Sequence, residues 1–86
     1  MKRLTLELGG NDAAIVLDDV DPIEIAPKLL VAATMNAGQL CLGAKRLYVH
    51  DSQYDQICEE LGRLARELVV DDGLKQGTEM GPMQNK

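Results

Sequence analysis

Two side chains in this sequence have the type and the setting for covalent and proton-transfer chemistry. Cys41 ends the run Asn36-Ala37-Gly38-Gln39-Leu40-Cys41, a Gly-containing loop that follows an apolar helical stretch. A thiolate in that position could attack an electron-poor carbon and hold it covalently. Gly38 lets the backbone there take an unusual turn. Glu7 closes the alternating run Leu4 to Leu8, directly ahead of Gly9-Gly10-Asn11-Asp12. A carboxylate so placed could take a proton from water. Each residue has a plainer alternative. Loop context alone divides Cys41 evenly between a nucleophile and a small buried hydrophobe. Periodicity alone favours a solvent-facing strand position for Glu7.

Other reactive residue types carry less. Cys58 falls on the apolar stripe of a helical segment, so core packing is expected of it. His50 is the single histidine, and a lone His is more often a surface or strand-end residue than a partner for Cys41. Two Cys and one His lack the spacing of a metal site. Asp18, Asp19 and Asp21 read as a solvated loop with a helix cap. Gly9-Gly10 is no dinucleotide fingerprint, because the chain contains no G-x-G-x-x-G.

The elements that must position these residues follow from pattern. Ala13-Ala14-Ile15-Val16-Leu17 is a continuous apolar run, as expected of a strand buried on both faces. A helix is expected from about Pro22 to Asn36, with Asp21 as N-cap, Pro22 at its first position and Glu24 in its first turn. Pro27 should kink that helix or delay its start. Ala37 to Gly43 reads as a loop and Lys45 to His50 as a strand, with Leu47 and Val49 on one face. Asp51 or Ser52 can cap a second helix running to about Val69. Its stripe is Tyr54, Ile57, Cys58, Leu61, Leu64, Ala65 and Leu68. From Asp71 the chain is rich in Gly and polar residues and reads as irregular. The order is β-β-α-β-α, an α/β class with one parallel βαβ unit. Such a unit alone leaves sheet edges and helix faces uncovered, which suggests part of a larger domain.

Composition narrows the partners. At 86 residues the chain is at most one small domain. Apolar residues make up 45%, enough for a core, and with no Trp or Phe that core must be aliphatic. A net charge of −5, with the basic residues scattered, argues against nucleic acid as a partner. No stretch approaches the length of a membrane span. Two cysteines without a signal peptide point to free thiols in a reducing, cytoplasmic setting.

Three stretches together resemble the aldehyde dehydrogenase superfamily. They are Leu6-Glu7-Leu8-Gly9-Gly10-Asn11, Asn36-Ala37-Gly38-Gln39-Leu40-Cys41, and Gly77-Thr78-Glu79-Met80-Gly81-Pro82. Lys45-Arg46-Leu47-Tyr48-Val49-His50 is similar to the strand that follows the cysteine loop in those enzymes. Order and spacing agree across nearly the whole chain.

The resemblance implies a partial three-layer catalytic domain over residues 1–86, with the cofactor domain absent. It implies NAD(P)-dependent oxidation of an aldehyde to a carboxylic acid through a cysteine thiohemiacetal and thioester. Cys41 would be the nucleophile and Glu7 the base, with Leu8 and Gly9 beside the nicotinamide portion of NAD or NADP. The full-length family is expected to be homo-oligomeric, and no metal is expected. The family chain is several times longer and would continue past Met1, so the alternative is an inactive truncated fragment, at most a folding or interaction module. Pro27, Asp71, Gln76 and Met35 depart from the family pattern, and they bear on fold stability rather than on Glu7 or Cys41.

Overall fold

The computed structural model describes residues 1–85. Its elements are β1 (Asp12–Val16), α1 (Pro22–Thr34), β2 (Ala44–Val49) and α2 (Tyr54–Glu67), with short 3-10 turns at Met35–Gly38 and Asp51–Gln53. β1 and β2 pair in parallel, with Ala14 opposite Leu47, Ile15 opposite Tyr48 and Val16 opposite Val49. The expected βαβ unit is therefore present, and the chain is α/β.

One expected strand is not formed. Leu4–Leu8 alternates apolar and polar residues, but a strand also needs a neighbour to complete its ladder of hydrogen bonds. Among the described residues β1 pairs only with β2, and Leu4, Leu6 and Leu8 all face solvent. The observed order is β-α-β-α.

α1 begins where its capping residues place it. Asp21 is extended and its Oδ1 accepts the Ile23 N–H at 2.8 Å, while Ile25 N–H donates to the Asp21 carbonyl at 3.0 Å. Pro22 occupies the first turn, where its missing N–H costs nothing. Pro27 does not delay the start, and the helix runs on through it to Thr34. It is exposed, so its ring projects away from the core, and the bond it forfeits is the single one to the Ile23 carbonyl. Ala26 beside it is fully buried and holds that turn in place.

The strand register sorts the side chains onto two faces. Ala14, Val16, Leu47 and Val49 face the helices. Ala13, Ile15, Arg46 and Tyr48 point the other way. On the helix side, Val16, Ala26 and Ile57 are buried, and Ile57 is the largest fully buried side chain. Burial of a side chain that size contributes about 1.5–3 kcal/mol. On the opposite side Ile15 is 72% and Tyr48 53% exposed. A parallel sheet is normally covered on both faces, so this face is bare.

α2 is capped by neither expected residue. His50 Nδ1 accepts the Ser52 N–H at 3.3 Å and opens the 3-10 turn that leads into the helix. Gln53 Nε2 then donates to the Asp18 carbonyl at 3.1 Å and the Val20 carbonyl at 2.7 Å, which ties the β1–α1 loop to the start of α2.

Cys58 is exposed rather than buried. The stripe of α2 that meets α1 is centred on Ile57, with Leu61 and Leu64 half-buried. Cys58 lies one residue round the helix, on a flank that no further layer covers. Its thiol lies one turn after Tyr54, and interaction with it holds that phenol above the usual range.

After α2 the chain folds back on itself. Glu79 N–H donates to the Val69 carbonyl at 2.9 Å and Glu79 Oε2 accepts the Val69 N–H at 2.8 Å. Lys75 bridges to Asp71 at 2.8 Å, one turn apart. That ammonium, helped by the Asp72 N–H, holds the Asp71 carboxyl below the usual carboxylate range. A folded pKa below the unfolded one contributes stability above the unfolded value and loses it as pH falls through the folded value. A carbon-13 carboxyl titration by NMR is expected to give Asp71 a midpoint below those of unpaired aspartates. In Lys75→Ala that midpoint moves upward, and an unchanged midpoint would rule out the pairing.

Candidate active site

The loops carrying Glu7 and Cys41 meet. Glu7, Gly9, Gly10, Gly38, Gln39 and Cys41 all line one open cleft of about 520 Å³. Leu8 does not line it; its side chain points to solvent.

The cleft lies at the amino ends of the strands. Glu7 precedes β1 and Cys41 precedes β2. Open parallel sheets more often place ligands beyond the carboxyl ends. Here that end is formed by Leu17, Asp18 and His50, which border a separate shallow apolar hollow. His50 and Cys41 therefore sit at opposite ends of β2, six residues or about 20 Å of strand apart. No Cys–His pair is formed.

Close approach of backbones fixes the cleft. A side chain at Gly10 would overlap the Cys41 carbonyl and crowd Asp12 Oδ1 at 3.0 Å. The backbone carbonyl cannot swing aside as a flexible side chain could. Gly9 is different: its φ is +78° and a Cβ there meets open space. Glycine is needed at Gly9 for conformation and at Gly10 for space. Gly10→Ala is expected to push the two loops apart and cost about 1–3 kcal/mol, the range for overpacking. A urea unfolding midpoint measures it, and a stability equal to the parent's would contradict the contact.

Glu7 Oε1 accepts the Gly9 N–H at 2.8 Å. This bond holds the carboxylate over its own loop, and Oε2 makes no hydrogen bond among the described residues. Arg46 secures the loop from the sheet side. Its Nε donates to the Asn11 carbonyl at 2.9 Å, and its guanidinium lies 5.8 Å from the centroid of the Tyr48 ring.

The cysteine loop is strained. Asn36 and Ala37 have φ of 54° and 56°, and Gly38 follows at 74°. Left-handed backbone costs a residue with a Cβ roughly 1–2 kcal/mol. Hydrogen bonds offset this. Gln39 Nε2 donates to the Asn36 carbonyl at 2.9 Å, and Gln39 N–H donates to the same oxygen at 3.2 Å. Lys45 Nζ donates to the Gly38 carbonyl. Cys41 is exposed in this loop, and its backbone N–H donates to nothing among the described residues.

Glu7, Gly9, Gly38 and Cys41, singled out from the sequence, line this cleft, whereas the contacts of Gly10, Gln39, Lys45 and Arg46 were not foreseen. The Gly9-Gly10 pair signalled a turn, and only a second glycine that the turn does not require hints at a close contact. Nothing in the pattern announces Lys45 or Arg46, which read as ordinary exposed strand residues.

Comparison with known proteins settles the family. The family model described as "Aldehyde dehydrogenase family" matches residues 1–86. The chain belongs to the aldehyde dehydrogenase family. It is 46% identical over 85 residues to a probable aldehyde dehydrogenase of a Pseudomonas species, covering 99% of this chain and 17% of that protein. It is 44% identical over 86 residues to phenylacetaldehyde dehydrogenase of Pseudomonas fluorescens, covering 100% and 17%. Among solved structures, a cysteine-to-alanine mutant of aldehyde dehydrogenase C from Pseudomonas syringae, complexed with NAD+ and octanal, is similar. It superposes with a TM-score of 0.91 at 32% identity, over 99% of this chain and 18% of that one. An aldehyde dehydrogenase from Brucella melitensis biovar abortus 2308 gives a TM-score of 0.89 at 41% identity, over 99% and 18%. This aldehyde dehydrogenase segment thus spans about a sixth of the length of the relatives it matches. No helix among its described residues is long and apolar enough to cross a membrane.

Proposed function

We propose that this segment carries the nucleophile and the general base of an NAD(P)-dependent aldehyde dehydrogenase. The observation that carries the reading is the shared cleft: the one loop thiol and the one loop carboxylate singled out by type line the same opening. In this reading the Cys41 thiolate attacks the aldehyde carbonyl and forms a thiohemiacetal. The Cys41 N–H has no acceptor among the described residues and can donate to the oxygen as it gains charge. When bound, NAD(P) supplies the acceptor for the hydride that leaves the substrate carbon. Glu7 then takes a proton from water, which attacks the resulting thioester carbonyl. The C–S bond breaks, the acid departs and the thiol is restored.

The residues near the cleft suit a flat ring. Gly9 presents bare backbone at its rim, with open space where a side chain would stand. Leu8 offers an exposed apolar surface next to it. Leu8 and Gly9 would hold the nicotinamide end. Both cofactor types have precedent: the P. syringae neighbour was complexed with NAD+, and a 42% identical Escherichia coli relative is named as an NADP(+) enzyme. Two free thiols fit a reducing compartment such as the cytoplasm. We expect the complete protein to be a homo-oligomer, as the family resemblance implies.

A second reading concerns the 86 residues alone, and burial favours it. The buried apolar side chains are Val16, Ala26 and Ile57, while one face of the sheet is bare. So small a core leaves little to offset the entropy of ordering the chain. By itself the chain would then be a catalytically silent module. The test mixes purified protein with an aldehyde and NAD(P) and follows NAD(P)H absorbance. Turnover by the 86-residue chain that vanishes in Cys41→Ala overturns the silent-module reading. No turnover and no cofactor binding overturn autonomous activity.

A further inference from the structure

We propose that Gln39 is a positioning residue that clamps the cysteine loop to the segment after Pro82, and that the clamp sets how Cys41 is presented. The inference rests on the proposed role of Cys41 and adds a residue that acts through it. Both ends of the Gln39 amide are used. Nε2 donates to the Asn36 carbonyl at 2.9 Å, and Oε1 accepts the Gln84 N–H at 2.8 Å across 45 positions of sequence. Asn36 returns a bond to the Gln39 carbonyl at 3.3 Å.

Three features make this more than a loop contact. First, Nε2 reaches the carbonyl of Asn36, the first of three consecutive left-handed residues, so it acts where the backbone is most strained. Second, the Gln84 bond is the hydrogen bond that ties the cysteine loop to the chain after α2, and that chain is itself anchored at Val69 by Glu79. Third, Cys41 lies two residues beyond Gln39, so a rotation of the Gln39 backbone turns the thiol directly. Release of the clamp frees that rotation, and in this proposal the freed loop presents Cys41 less well to the cleft.

The experiment uses the 86-residue chain and needs no turnover, so its failure is distinct from failure of the catalytic reading. Iodoacetamide alkylation is followed by mass spectrometry, with Cys58 on α2 as the internal reference. Amide hydrogen exchange is followed at Gln84. Gln39→Met keeps the shape and removes both bonds. Gln84→Pro removes only the donor to Oε1. Gln39→Glu keeps that acceptor and loses the bond to Asn36.

Gln39→Met and Gln84→Pro are each expected to slow Cys41 alkylation by about threefold to tenfold, the effect of one hydrogen bond, with Cys58 unchanged. Their combination is expected to slow it no further than Gln39→Met alone. Gln84 exchange is expected to be slowed in the parent and in Gln39→Glu, and to rise in Gln39→Met. Unchanged Cys41 alkylation overturns the proposal. So does a double variant whose effect is the product of the two, or a Gln84 amide that exchanges equally in parent and Gln39→Met.

Discussion

Under the proposed mechanism, Cys41→Ala in the complete enzyme is expected to reduce aldehyde-dependent formation of NAD(P)H by about 10⁴-fold or more, the scale on which losing a covalent nucleophile acts. The fold survives, because Cys41 is exposed and no packing depends on its sulfur. The thermal midpoint should therefore match the parent's while activity is lost, a split that an unfolding variant cannot produce. Cys41→Ser tests the same point more narrowly. It keeps the size of the side chain but offers a hydroxyl, far less ionised at neutral pH than a thiol, and should remain nearly as inactive. Cys58→Ala is the matched control. It removes the other thiol, on the far flank of α2, and leaves turnover intact. Activity retained in Cys41→Ala would remove the basis for the proposed mechanism.

Glu7→Gln separates the two halves of the reaction. The variant keeps an oxygen that accepts the Gly9 N–H, so the loop geometry stands. It loses the charge needed to take a proton from water. Thioester hydrolysis is expected to slow by about 10²–10⁴-fold, the range for removing a general base. Attack by Cys41 and the first hydride transfer are not expected to slow with it. Stopped-flow absorbance should show a burst of NAD(P)H close to one equivalent per site, then a steady rate near zero. Mass spectrometry should find the acyl group on Cys41. A steady rate like the parent's, or a lost burst, would assign Glu7 a different role. Glu7→Ala removes the Gly9 bond as well, so any additional loss in it reports loop order rather than base catalysis.

The sequence was most legible where local chemistry decides the outcome. Asp21, Pro22 and Glu24 announced the start of α1, and the cap forms as they required. The aliphatic run around Val16, and the placing of Leu47 and Val49 on one face, announced the two paired strands. It was least legible where the outcome depends on neighbours. Leu4–Leu8 has strand alternation and no strand beside it. Cys58 lies on an apolar stripe, but the covered part of α2 is narrower than the stripe. Pro27 broke a local rule and was accommodated because its ring points outward. The cleft follows the same division. Residue types and flanking glycines marked Cys41 and Glu7. The contact that brings their loops together, Gly10 against the Cys41 carbonyl, joins positions 31 residues apart and leaves no trace in local pattern.

The placement of the cleft at the amino ends of β1 and β2 has an electrostatic consequence. α1 runs antiparallel to the strands, so its carboxyl end points toward the cysteine loop, and the Ala33 carbonyl lies 3.4 Å from where a Cβ on Gly38 would stand. A helix carries roughly half a negative charge at that end, which opposes an anion formed nearby. α1 has no basic residue in its own last turn to answer it. Lys45, the second residue of β2, reaches back to the Gly38 carbonyl and brings its ammonium there. The cation that this helix lacks is thus borrowed from the next strand, and it sits on the Gly38 carbonyl, in the loop that carries Cys41.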